Sequence, residues 1–289
     1  MARDGEALAG LATASPWPRR GVAVLRGASA LLLPVLVLAA WQWAGGARGV
    51  LLGGALPTPL RVWEAWQAWA FGPVGMGLNA YSGTWLGAVL FSSGRVAQGF
   101  VLAVVLAVPI GILIGWNRRA AALVDPTIQM LRPIPITAWL PFSIAIFGIR
   151  DFGAIFLIAL GVFYPVVVNA TQGAREVDRN WIRAALMLGS GRMKILLHVV
   201  LPAALPAIFT GMRIGLGVGW TAVIVSEMVA VKSGLGYVLW DAYYVGRMDV
   251  VLADMATIGV LGLLTDRAIL LVAGRLLRWR ALASHGGER

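Results

Sequence analysis

The chain has 289 residues, of which 59% are hydrophobic and 13% charged, with a net charge of +11 and a mean hydropathy of +0.80. A water-soluble domain cannot hide that much apolar surface, so the solvent for most of this chain must be lipid. The absence of cysteine excludes a disulfide framework, a thiol nucleophile and a Cys-based metal site, and the basic residues cluster at the ends of apolar segments, which fits membrane orientation rather than nucleic-acid binding.

Residues 1–27 form a polar, basic amino-terminal tail with Arg3, Arg19, Arg20 and Arg26. Arg19-Arg20 ahead of an apolar run also suits a twin-arginine export signal. No small-x-small site followed by a soluble domain accompanies it, so a retained cytoplasmic tail is expected. A first transmembrane helix is expected from Ala28 to about Gly46, with Trp41 and Trp43 as interfacial anchors. Thr58 and Pro59 suit the start of a helix. Leu60, Trp63, Trp66 and Ala70 then make a stripe that fits either a helix in the interface plane or a loop helix packed on the bundle.

A second span is expected from Val96 to Trp116, kinked at Pro109, with Gly111 and Gly115 spaced for close helix contact. The third runs from Asp125 to about Gly148 and is interrupted by Pro133, Pro135 and Pro141; such a helix belongs in the interior or against a cavity. The fourth covers Phe152 to about Gln172, the fifth Pro206 to Ala230 and the sixth Val250 to about Val272. Gly211, Gly215 and Gly219 make a double GxxxG, read as an internal packing seam, with a subunit interface or pore wall as alternatives. Arg213 and Glu227 are costly in lipid and should face protein, water or headgroups. Residues 232–249 read as an outer connection, and residues 273–289 as a carboxy-terminal cytoplasmic tail. The fold class is thus all-α membrane protein with about six spans over residues 28–272. The bias of basic residues in the short loops puts both termini and residues 173–203 on the cytoplasmic side.

That cytoplasmic loop holds the most specific pattern. Asp178 can cap a helix through Trp181, Ile182, Ala185 and Leu188. Gly189 and Gly191 allow a turn. A second helix follows from Arg192 to about Leu201, broken or bent at Pro202. Ala184-Ala185, Gly189, Val199 and Leu201-Pro202 stand at the spacing of the signature loop of ABC-type importer membrane subunits, which this chain resembles. Arg183 occupies the position where that family usually has Glu. The stretches LRPIPITAWLPFSIAIFGI and GLGYVLWDAYYVGRMDVVLADMATIGVLGLLTDR resemble the branch that handles nitrate, sulfonates, taurine and bicarbonate.

The resemblance implies a type I importer permease in the bacterial inner membrane. Its coupling helix docks on an ATPase subunit, and a small anion crosses by alternating access. It implies two ATPase subunits, a periplasmic or lipid-anchored substrate-binding protein and a second permease copy as partners, within membrane lipid. No cofactor is expected on this chain: it has no P-loop, so ATP is used by the partner. No metal and no catalytic residue is expected. Trp139, Arg213 and Trp220 are the pathway candidates. The alternative, an ion-gradient-driven secondary transporter, would require ionisable groups at mid-membrane depth and usually an internal repeat; no repeat is visible.

Overall fold

The computed structural model describes residues 32–45, 56–73 and 80–277. The predicted tails lie outside these residues, apart from the first few of the carboxy-terminal one. Two compact units are formed, residues 1–62 and residues 63–289. In the first, helix α1 (Leu32–Gly45) is apolar and mostly exposed. The Trp41 indole donates to the Pro57 carbonyl at 3.0 Å. Helix α2 (Pro59–Phe71) starts as its sequence suggests, with the Arg61 amide donating to Thr58.

In the second unit, α3 (Trp85–Trp116), α6 (Asp151–Arg175), α8 (Arg192–Ala230) and α10 (Met248–Leu276) are each long and apolar enough to cross a bilayer. Outward-facing residues such as Leu90, Val105, Val260 and Leu264 stay exposed, as lipid-facing side chains should. Helix α3 begins eleven residues before the expected Val96 start. The helix takes in Arg95 because its charge is neutralised inside the protein by Glu227 and Asp151.

The expected third span is not one helix. It consists of α4 (Arg118–Leu131) and α5 (Leu140–Phe147), the latter preceded by a 3-10 turn over Ile136–Trp139, and the two parts are bent by 92°. Its start also differs. Asn117 accepts from the Arg119 amide and caps α4, so Asp125-Pro126 lies inside the helix rather than opening it. Pro133 and Pro135 cause the break, because each lacks an amide proton and restricts the residue before it.

Helix α6 is the axis of the unit. Small residues let α3 and α8 approach it from two sides. A Cβ at Gly111 would stand 2.6 Å from the Ala170 Cβ, and at Gly211 it would stand 2.8 Å from the Pro165 carbonyl. Gly215 and Gly219 face Val162 of α6 in the same way. These seams leave no room for side chains, so the helix backbones themselves fix the spacing. The outer connection of the sequence reading contains a helix of its own, α9 (Leu235–Tyr244), with one face buried.

Candidate functional site

The signature stretch forms a helical elbow. Helix α7 (Arg179–Met187) is capped by Asp178, whose carboxylate accepts from the Asn180 amide at 2.8 Å. It ends at Gly189, which has φ +78°. The Gly189 amide donates to the Leu186 carbonyl and the Ser190 amide to the Ala185 carbonyl, the paired bonds of a Schellman cap. Gly189 is therefore needed for its left-handed backbone.

The chain then enters α8 without the expected break at Pro202. A π-helical turn over Leu196–Val200 intervenes, and the Leu201 amide donates to the Leu196 carbonyl five residues back. Pro202 falls in the first turn after this shift, where a missing amide proton costs little.

The motif residues divide by the face they present. Ala185, Val199 and Leu201 pack, with Ile182, on a buried cluster that includes Ile195, Val200, Ala204 and Ala174. Arg183 and Ala184 point away from it and are exposed. On the same open side Trp181, Leu186, Met187, Leu188 and Met193 expose large apolar surfaces, with Met187 at 88% and Leu188 at 86%. Trp181, His198, Val199 and Pro202 border a hollow of about 490 Å³ beside the elbow.

Behind the elbow, at mid-helix depth, the broken span lines a cavity of about 360 Å³. Arg132, Tyr164, Asn169, Ile214 and Val218 contribute to its wall. Of the pathway candidates, Trp139, Arg213 and Trp220, none lines it. Trp220 is buried and its indole donates to Thr265 at 3.0 Å. Arg213 forms a forked pair with Asp266 at 2.7 and 3.0 Å. Trp139 sits in the 3-10 turn against Phe142.

A polar hub with a buried centre of Ser92, Arg95 and Glu227 closes the opposite end of the unit. Glu227 of α8 accepts from Ser92 and, at 2.6 Å, from Arg95. Arg95 also reaches Asp151 of α6 and both the carbonyl and hydroxyl of Ser233. The first amides of α9 donate to Ser92 (Leu235) and Glu227 (Gly236), so a carboxylate sits at a helix N-terminus, where the dipole favours it. Gly234, at φ +105°, lets the chain fold over the Glu227 carboxyl, which a Cβ there would strike. Asp254 of α10 is also fully buried, and neither of its carboxyl oxygens has a hydrogen-bond partner among the described residues.

Long apolar helices seamed by glycine, a broken span against a cavity and an amphipathic elbow beyond the helices together make a polytopic membrane transport subunit. Residues 107–278 match the family of binding-protein-dependent transport system inner membrane components, and the chain belongs to that family. It is 37% identical over 250 residues to the putative aliphatic sulfonates transport permease protein SsuC of Bacillus subtilis, covering 86% of this chain and 87% of that one. The taurine transport system permease protein TauC of Escherichia coli is 36% identical over 264 residues, 91% of this chain and 92% of its own. The bicarbonate transport system permease protein CmpB of Synechococcus elongatus is 38% identical over 185 residues, 64% and 66% of the two chains. The protein is accordingly a multi-pass inner-membrane permease subunit of an ABC transporter. It is a transport component rather than an enzyme, and it works with an ATPase and a substrate-binding protein.

Proposed function

We propose that this permease imports a small oxyanion of the nitrate, sulfonate, taurine or bicarbonate type, and that its elbow is the face gripped by the ATPase. The exposed apolar row of Trp181 and Leu186–Leu188 supports the second part. An amphipathic helix that leaves its large side chains in water, flanked by Arg179, Arg183, Arg192 and Lys194, has the composition of a partner-binding face. The names of the relatives support the substrate class. The basic bias of the loops supports cytoplasmic termini and a cytoplasmic elbow, and a second copy of the chain completes the pathway in a homodimer embedded in lipid. ATP closes the ATPase pair, the elbows move, and the cavity changes the side to which it opens.

The test is to place Glu at Met187 and Leu188 together. Membrane insertion should persist while ATPase copurification and uptake fall at least about tenfold, as expected when central apolar anchors worth roughly 1.4 kcal/mol or more are lost. Undiminished copurification would remove the elbow from the interface. Because the chain lacks cysteine, a single Met187→Cys also reports sidedness: an impermeant thiol reagent should label it only from the cytoplasm.

A further inference from the structure

We infer that Arg132, together with the Tyr164 hydroxyl and the Asn169 amide, forms an oxyanion subsite in the cavity at the broken span. The inference rests on the proposed small-anion substrate and adds to it the residues that would hold the anion during passage.

Arg132 is the C-cap of α4, at the break between the two halves of the bent span. Arg95 has Glu227 and Asp151, and Arg213 has Asp266. Arg132 forms no ion pair or hydrogen bond from its side chain among the described residues. It nevertheless lines the cavity with Tyr164 and Asn169, and Tyr164 is one residue from the middle of the 25-residue α6. Arg132 is exposed, and a guanidinium without a counter-charge on the wall of such a cavity is costly in lipid and becomes tolerable where water or an anion completes it.

The other wall groups fit the same ligand. The Tyr164 side chain is largely buried, and its hydroxyl has no hydrogen-bond partner among the described residues. The Asn169 amide nitrogen donates to the Pro165 carbonyl at 2.8 Å, which fixes the side chain and leaves its second amide proton available. Ile214, Val218 and the prolines supply apolar surface for a short organic tail. A volume of about 360 Å³ suits a small ligand. Arginine's planar fork matches two oxygens of a nitrate, carbonate or sulfonate group. The break itself places Arg132: its amide still bonds to the Ile128 carbonyl, so it is the last residue held by α4 before Pro133 ends the helix.

The test uses the assembled transporter with its ATPase and binding protein in proteoliposomes. Ile214→Cys puts a unique thiol in the cavity wall. A thiosulfonate reagent bearing a sulfonate should modify it faster than one bearing a trimethylammonium group, and adding Arg132→Gln should shrink that preference at least about tenfold, as removal of one nearby charge predicts. An unchanged preference would overturn the subsite whatever the substrate is. In parallel, uptake of ethanesulfonate, taurine, nitrate and bicarbonate is measured. Arg132→Gln should cut uptake of the transported anion about tenfold or more, with Arg132→Lys and Tyr164→Phe in between, while the loaded binding protein still stimulates ATP hydrolysis. If the unmodified transporter moves an anion and both Arg132 variants match it, the subsite is wrong and the substrate class stands. If the unmodified transporter moves none of the four, the substrate class fails and takes the subsite with it. Should Arg132→Gln not accumulate, Arg132→Lys decides alone: it must transport more slowly at equal membrane level.

Discussion

The two ends of this helical unit are built on opposite plans. At the α9 end the buried Arg95–Glu227 pair is answered from several elements, while Asp254 on α10 has no hydrogen-bond partner among the described residues. Arg95 meets Glu227, Asp151 and Ser233, and the amides of α9 finish the Glu227 carboxylate. At the elbow end large apolar side chains are exposed, and Arg179, Arg183, Arg192 and Lys194 beside them form no ion pair among the described residues. The first end is sealed around an ion pair that one chain supplies by itself. The second leaves its large apolar side chains uncovered, which is what the proposed docking face requires. On the proposed function, the sealed hub would serve as a pivot and the unsealed elbow as a handle.

The largest expected effect breaks the sealed end. Arg95→Met leaves Glu227, 0% exposed, without its charge partner. Removing one member of such a pair costs about 3–5 kcal/mol. Thermal unfolding of the purified subunit should begin well below that of the unaltered chain, and Arg95→Met with Glu227→Leu should recover much of the loss. If Arg95→Met alone unfolds at the usual temperature, the hub does not hold the helices together.

Some of this was legible in the residues and some was not. The Ala-Ala, Gly and Leu-Pro spacing located the elbow because backbone demands, a cap at Asp178 and a left-handed residue at Gly189, are local. The glycine spacing marked a seam for the same reason. The hub is not legible in the sequence because its members come from α3, α6, α8 and the start of α9, so only the fold unites them. An arginine and a glutamate in two different apolar runs were the available signal. Arg132 lies in LRPIPITAWLPFSIAIFGI, where the prolines and Trp139 are the more conspicuous residues. Whether a charge in a span has a partner cannot be read from spacing. The uninterrupted passage into α8 was missed because proline alone suggests a break, and the π-turn that relocates the bonds has no sequence signature.

A smaller effect sharpens the elbow end. Nothing lies within 4 Å of where a Cβ at Gly189 would be, yet its φ is +78°. The demand within this chain is conformational, about 1–2 kcal/mol for a β-branched residue. Asparagine enters that backbone region more readily. Gly189→Asn should therefore keep most uptake and Gly189→Val should lose most of it, with both inserted normally. Equal loss in the two would mean that a docked partner presses on this residue and tolerates no side chain at all.

The smallest effect returns to the sealed end. The Tyr81 hydroxyl donates to Asp241 of α9 at 2.6 Å. Burial, and then this bond, push the phenol above its ordinary value. Tyr81→Phe should cost about 0.5–1.5 kcal/mol at neutral pH, one ordinary hydrogen bond. Because the folded pKa is raised, the stabilisation is fully present below the unfolded value of about 10 and is lost as pH rises through the folded one. The gap between the unaltered chain and Tyr81→Phe should hold constant from pH 7 to about pH 9 and close in stronger alkali. A gap that stays open there would show that packing of the ring, not the proton it shares with Asp241, ties this loop to α9.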